Sequence, residues 1–222
     1  MQRHVYTPRG ACAQVWSERG SEVLVSGPAG TGKSRACLEK LMLMAVLNPH
    51  MRGLIVRKTL ASLGSTALVT WREKVIVDLT ESDCYFFGGS SQEAPQYRFS
   101  NGSTITIGGM DKATKIMSSE YDVAYVQEAT ELTKDDWESI TTRLRNGRVS
   151  FQQLMADCNP DMPTHWLKLR ADEGLTKLLE STHEDNPTLF DDHGLVTDTG
   201  AEYIEKLDRL TGVRYLRLRK GI

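Results

Sequence analysis

Eight consecutive residues, Gly27-Pro28-Ala29-Gly30-Thr31-Gly32-Lys33-Ser34, combine glycines, a lysine and a hydroxyl at the spacing of a phosphate-binding loop. The glycines let successive backbone N–H groups curl around phosphate oxygens, and a helix starting at Lys33 would point its positive end at the same oxygens. In that geometry Lys33 reaches the β- and γ-phosphates of a nucleoside triphosphate, and the Ser34 hydroxyl is a ligand for Mg²⁺. A bare glycine turn is the plain alternative. Against it, an apolar strand (residues 22–26) precedes the loop and an amphipathic helix (residues 33–47) follows.

A second site follows from Tyr121-Asp122-Val123-Ala124-Tyr125-Val126-Gln127-Glu128, where an apolar strand delivers an acid to the edge of a sheet. P-loop hydrolases commonly carry two acids there, one for Mg²⁺ and one to polarise the attacking water. Here the first place holds Gln127. Glu128 is therefore the expected general base, and Gln127 is left to hold a metal-bound water through its amide oxygen. The bland reading makes Glu128 a helix-start acid, and Glu131 competes with it for the role of base. Asn159, in Asp157-Cys158-Asn159-Pro160 at the end of the next strand, is the expected sensor of the γ-phosphate, against a plain Asn-Pro turn. Gln14, ahead of the first strand, has an amide able to read adenine, or is a solvated residue of a helix over 11–19. Arg143, Arg145, Arg148 and Lys115 are candidates for a cation offered to a neighbouring subunit's nucleotide, against a solvated basic face. Arg57-Lys58 and Arg214, Arg217, Arg219 and Lys220 are two further basic groups within reach of a phosphate backbone, without the interleaved aromatics that mark base stacking.

These residues need a sheet to position them. Strands are expected at 22–26, 53–57, 121–126 and 151–158, with helices at 33–47, over much of 59–79, and at 133–145. The segment 97–107 reads as a hairpin around Asn101-Gly102, the pair that a primed two-residue turn requires. Strands alternating with helices predict an α/β fold with a mostly parallel central sheet flanked by helices and an added β-hairpin, the ASCE/RecA-like type of P-loop NTPase. The core is expected over residues 1–180. Residues 181–222 read as a helical lid segment, with short helices at 201–210 and 213–220.

Composition narrows the rest. A chain of 222 residues with 40% hydrophobic and 25% charged residues is an ordinary globular one, and its net charge of -2 carries no overall nucleic-acid signal. Four scattered cysteines (Cys12, Cys37, Cys84, Cys158) and five histidines (His4, His50, His165, His183, His193) show neither disulfide nor zinc spacing. The most apolar stretch, 38–47, holds Glu39 and Lys40 and is far too short to span a bilayer, so a soluble intracellular protein is expected. No Asn-Lys-x-Asp guanine-reading motif occurs. A P-loop kinase fits poorly with a glutamate at position 128. A helicase or RecA-like DNA-dependent ATPase and a non-hydrolysing nucleotide-binding module both remain open.

In order along the chain come the loop 27–34, Ile55-Val56-Arg57-Lys58-Thr59, the hairpin tip Phe99-Ser100-Asn101-Gly102-Ser103 and Tyr121 to Glu128 running on as Ala129-Thr130-Glu131-Leu132. Arg143-Leu144-Arg145, Asn159-Pro160 with His165-Trp166, and Ser181-Thr182-His183-Glu184-Asp185-Asn186-Pro187 complete the set. Taken together they resemble the large terminase subunit of tailed bacteriophages, in its N-terminal DNA-packaging ATPase. The resemblance implies an ATP- and Mg²⁺-dependent motor that translocates double-stranded DNA into a procapsid. It implies assembly with itself as a ring, expected to be a pentamer, on the portal protein, together with a small terminase subunit and no membrane, in the cytoplasm of the infected host. Two departures stand out. Gln127 replaces the usual first acid, and no arginine lies inside the loop before Gly32, which favours a cation supplied in trans.

Overall fold

The computed structural model describes residues 5–222; His4 lies outside them. Helix α1 (Gly10–Ser17) leads into β1 (Glu22–Ser26), the phosphate loop and α2 (Lys33–Leu47). Next come β2 (Arg52–Arg57) and two short helices, α3 (Leu60–Gly64) and α4 (Ala67–Thr70), the latter running into a π turn (Trp71–Val75). Strands β3 (Cys84–Phe87), β4 (Gln96–Phe99) and β5 (Thr104–Gly109) form an antiparallel run, followed by α5 (Thr114–Met117) and β6 (Val123–Val126). The rest is α6 (Lys134–Thr141), β7 (Gln153–Cys158), α7 (Trp166–Asp172), β8 (Lys177–Glu180), α8 (Asp198–Asp208) and α9 (Gly212–Tyr215), extended by a π turn (Leu216–Lys220).

All eight strands join one sheet in the order β3-β4-β5-β2-β6-β7-β1-β8. From β5 to β8 every pairing is parallel. Strands in such a sheet are covered on both faces, which is why β6 and β7 are buried at every residue and read as apolar runs instead of alternating. One face packs Val23, Val25, Ile55, Tyr125 and Met155 against α1, α2 and the α3–α4 segment. The other packs Leu24, Leu54, Val56, Ala124, Val126 and Leu154 against α5, α6 and α7, with Trp137 fully buried among them.

The expected fold class holds, and four local expectations are corrected. Residues 59–79 are not one helix, because Ser65 and Thr66 turn their hydroxyls onto the Ser62 carbonyl and compete with the backbone ladder. The tip 100–102 is not a primed turn: Gly102 N–H bonds the Phe99 carbonyl, and only Gly102 of the pair has positive φ (83°). That is a three-residue loop whose left-handed last residue forms a bulge. Helix α6 stops at Thr141, short of Arg145, because the chain must come back for Tyr121 N–H to reach the Arg143 carbonyl. Its start, however, has the expected Thr133 cap, closed into a capping box with Asp136. Finally, β3 and β8 were not foreseen. Both are edge strands of four residues, too short for a period to show.

Candidate active site

The carboxyl ends of β1, β6 and β7 meet at one edge of the sheet, where crevices of parallel α/β sheets hold their ligands. A cavity of about 880 Å³ opens there, lined by Ala29 to Arg35, Glu128, Asp157 and Asn159, together with Tyr6, Arg9, Asn186 to Thr188, Thr70 and Lys74. The size and the convergent polar groups suit a nucleotide.

The loop starts as β1 ends. Gly30 and Gly32 have φ of 79° and 90°, backbone that residues with a side chain rarely adopt. Lys33 is buried and donates to the carbonyls of Gly27 (3.0 Å) and Pro28 (2.6 Å), with Asn159 Oδ1 at 3.3 Å. Burial lowers the Lys33 pKa, opposed by the nearby charges of Asp157 and Glu128. Gly27 is confined from behind, since a Cβ there would fall 2.3 Å from the Ser181 carbonyl oxygen. Gly27→Ala is therefore expected to cost about 1–3 kcal/mol of stability and to weaken nucleotide binding more than it lowers Tm. Calorimetric titration beside thermal unfolding checks this, and unchanged affinity would mean the loop tolerates the shift.

Glu128 sits just past β6 with φ 50°, a left-handed conformation that is costly for a side-chain residue and concentrates at functional sites. Its carboxyl lines the cavity, and its pKa is raised, first by burial and then by the charge of Asp157, with Arg57 and Lys33 pulling the other way. A raised value brings a carboxylate closer to the range of an effective general base. Glu131 is taken up in a two-pronged ion pair with Arg57 (2.8 and 2.6 Å), which removes it from competition as base.

The structure thus brings together Gly27 to Ser34, Glu128 and Asn159, as the sequence predicts. It does not bring Gln127 into the cavity. The Gln127 side chain is buried, lies in hydrogen-bond contact with the Thr66 hydroxyl (2.7 Å), and is absent from the cavity lining. The group that contacts the Ser34 hydroxyl is instead the Asp157 carboxylate, 1% exposed. Sequence reasoning passed over it in favour of Asn159. The available signal was an ionisable residue near the end of a buried strand. A hydroxyl and a carboxylate oxygen beside a phosphate loop form a donor set that suits Mg²⁺, which takes one or two carboxylates and completes its shell with phosphate oxygens and water.

Gln14 is also placed elsewhere. Helix α1 turns Ala11, Cys12 and Val15 inward, so Gln14 faces solvent and does not line the cavity. Tyr6, Arg9 and Arg35 line the cavity instead, with the Arg35 guanidinium 4.8 Å from the centre of the Tyr6 ring. Asn186 donates to the Gly30 carbonyl (2.6 Å) and Thr31 pairs with Ser181 (2.8 Å), so residues 181–188 brace the loop. The Ala29 N–H reaches the Leu218 carbonyl (2.9 Å), which brings the final turn onto the loop as well.

Lys115, Arg143, Arg145 and Arg148 lie at the opposite edge of the sheet. Lys115 shares a groove with Arg52, Thr104 and Tyr121 at strand starts, and Arg145 pairs with Glu120 (2.9 Å). None of the four lines the cavity of its own chain, so any role there is toward a second copy. Lys58 pairs with Asp136, Arg219 with Asp208, and Arg217 donates to the Pro160 carbonyl, so much of the basic character noted for these groups is used within the chain. No helix among the described residues is long and apolar enough to cross a membrane.

A parallel sheet in which β7 separates the phosphate-loop strand from the glutamate-bearing strand, with lysine, serine and glutamate converging on one cavity, defines a P-loop NTPase of the ASCE/RecA-like type. The family model for the phage terminase large subunit matches residues 19–202, and the chain belongs to that family. Among solved structures, the large terminase of a thermophilic bacteriophage superposes with a TM-score of 0.73 at 16% identity, covering 96% of this chain and 52% of that one. The same terminase in complex with ATP-gamma-S gives a TM-score of 0.70 at 16% identity, over 97% and 53%. The large terminase ATPase domain of Thermus phage P74-26 gives 0.65 at 14% identity, over 97% and 94%. The chain therefore spans about half the length of the first of these relatives. No curated protein matches by sequence.

Proposed function

We propose that this chain binds ATP with Mg²⁺ and hydrolyses it to drive double-stranded DNA into a procapsid. The convergence of Lys33, Ser34, Glu128 and Asn159 on a single cavity carries the reading, together with membership of the terminase family and a solved relative in complex with ATP-gamma-S. In this scheme the loop N–H groups and Lys33 hold the β- and γ-phosphates, and Glu128 takes the proton of the attacking water. Mg²⁺ supplies neutralising charge at the phosphate oxygens. Asn159, within reach of Lys33 Nζ at 3.3 Å, senses the γ-phosphate and passes its loss to β7 and its neighbours.

The same reading makes the working unit a ring of copies, five by expectation, on a portal protein, with a small terminase subunit delivering DNA in the host cytoplasm. One of Arg143, Arg145, Arg148 or Lys115 then reaches the nucleotide of the next copy. Residues 181–222 act as a lid segment beside the loop. The test is Mg²⁺-dependent phosphate release from ATP, with and without duplex DNA, followed by uptake of DNA into procapsids. Release of phosphate that DNA accelerates is the expected result. Tight ATP binding with no phosphate release under either condition would instead favour a non-hydrolysing nucleotide-binding module.

A further inference from the structure

Strand β7 lies between β6 and β1. Its register pairs Ala156 with Val126 on β6 and Asp157 with Val25 on β1. One step further along the β6 pairing sets Asp157 level with Gln127. The two residues therefore stand at the same height of the sheet, and Asp157 is one strand nearer to the phosphate loop.

The side chains divide accordingly. Gln127 is engaged by Thr66, at the β2 side of β6. Asp157 turns to the face of the sheet that carries α2, as Met155 does two residues before it, and its Oδ2 accepts the hydroxyl proton of Ser34 at the start of that helix. Its other oxygen accepts the Tyr125 hydroxyl (2.9 Å) and the Glu128 N–H (3.3 Å). A carboxylate held almost out of water requires such donors, and three of them here fix its orientation. Tyr125 is itself fully buried, so the anchor cannot swing away without opening the core.

We propose that Asp157 is the carboxylate of the Mg²⁺ site, paired with the Ser34 hydroxyl, and that it replaces on β7 the acid that position 127 on β6 lacks. The assignment rests on the reading that the chain binds ATP with Mg²⁺. It removes the difficulty raised by Gln127, because the protein's share of the site is one hydroxyl and one carboxylate wherever the latter originates. It also gives Gln127 a different task, tying the end of β6 to the Ser65–Thr66 break between α3 and α4.

Mn²⁺ in place of Mg²⁺ makes the site visible. Electron paramagnetic titration of free Mn²⁺ in the presence of ATPγS is expected to show about 10–100-fold weaker metal binding in Asp157→Asn. Gln127→Ala should leave metal binding unchanged, and both variants should retain metal-free nucleotide binding. A purely structural Asp157 would lower Tm and metal-free binding alike without a selective loss of Mn²⁺. The reverse pattern, loss in Gln127→Ala and none in Asp157→Asn, overturns the proposal, as does a wild-type protein whose ATPγS complex takes up no Mn²⁺. Should Asp157→Asn fail to fold, the anomalous Mn²⁺ peak in crystals of the wild-type ATPγS complex decides: beside Ser34 and Asp157 it supports the site, beside Gln127 it refutes it. Phosphate release is read separately, so a protein that binds Mn²⁺ through Asp157 yet releases no phosphate refutes hydrolysis and leaves the metal assignment intact.

Discussion

Glu128→Gln is expected to lower kcat for ATP by about 10²–10⁴, the usual contribution of a positioned general base. Nucleotide affinity should change little, because the loop N–H groups and Lys33 carry the binding and Glu128 is not part of the loop. The amide keeps the shape of the carboxylate and its place beyond β6, so the left-handed backbone at φ 50° is undisturbed. What it loses is the ability to accept a proton. Single-turnover kinetics with ATP, beside binding of ATPγS, separate the two effects. A variant that hydrolyses ATP at the wild-type rate would remove Glu128 from the mechanism. Glu131 would be a poor substitute, since Arg57 already occupies both of its carboxylate oxygens. Loss of affinity together with rate would mean that the change had disturbed Asp157, whose Oδ1 accepts the Glu128 N–H.

The largest expected effect on stability lies at the other end of β1. Glu22 is buried and accepts from Arg170 Nε (2.7 Å) and Nη2 (2.6 Å), from the Thr176 hydroxyl (2.6 Å) and from Trp137 Nε1 (3.1 Å). Four donors from α6, α7 and the lead-in to β8 therefore converge on one carboxylate. Glu22→Ala strands a largely buried guanidinium and two further donors, and breaking such a pair costs about 3–5 kcal/mol. For a chain of this size that lowers Tm by about 6–20 °C. Burial alone would raise the pKa of Glu22, but the hydrogen bonds and the charge of Arg170 outweigh it and hold the value below the ordinary 4.5. A depressed carboxylate contributes stability that is complete above its unfolded value and disappears as pH falls through the folded one. The gap in stability between wild type and Glu22→Gln should therefore be full at neutral pH and close below about pH 4.5. Denaturant titrations across that range check it. A gap independent of pH would show that the ionised form of Glu22 is not what the fold uses.

Much of the active site was legible because its chemistry is local. The loop 27–34 performs its task with adjacent backbone groups, so spacing alone identifies it, and α2 begins at Lys33 as the pattern requires. Glu128 and Asn159 each follow an apolar strand, and the end of a buried strand is where a parallel sheet presents its polar residues. Gln14 failed for the opposite reason. Facing adenine or facing water depends on how α1 rolls against α2, and Ala11, Cys12 and Val15 settle that roll by packing inward.

The mostly parallel sheet, the phosphate loop, its lysine and hydroxyl, the glutamate at 128 and the lack of an acid at 127 could all be read from the residues alone. They depend on periods of a few residues and on side-chain chemistry that no neighbour can alter. The entry of β7 between β6 and β1 was not legible there, because strand order follows from which crossovers pack and leaves no local trace. That order sets Asp157 against Ser34 and leaves Gln127 to Thr66. It also lets residues 181–188, which read as the start of a lid segment, brace the back of the loop at Gly27, Gly30 and Thr31. Contacts spanning some 150 residues are set by burial in a shared core, and burial is a property of the assembled layers.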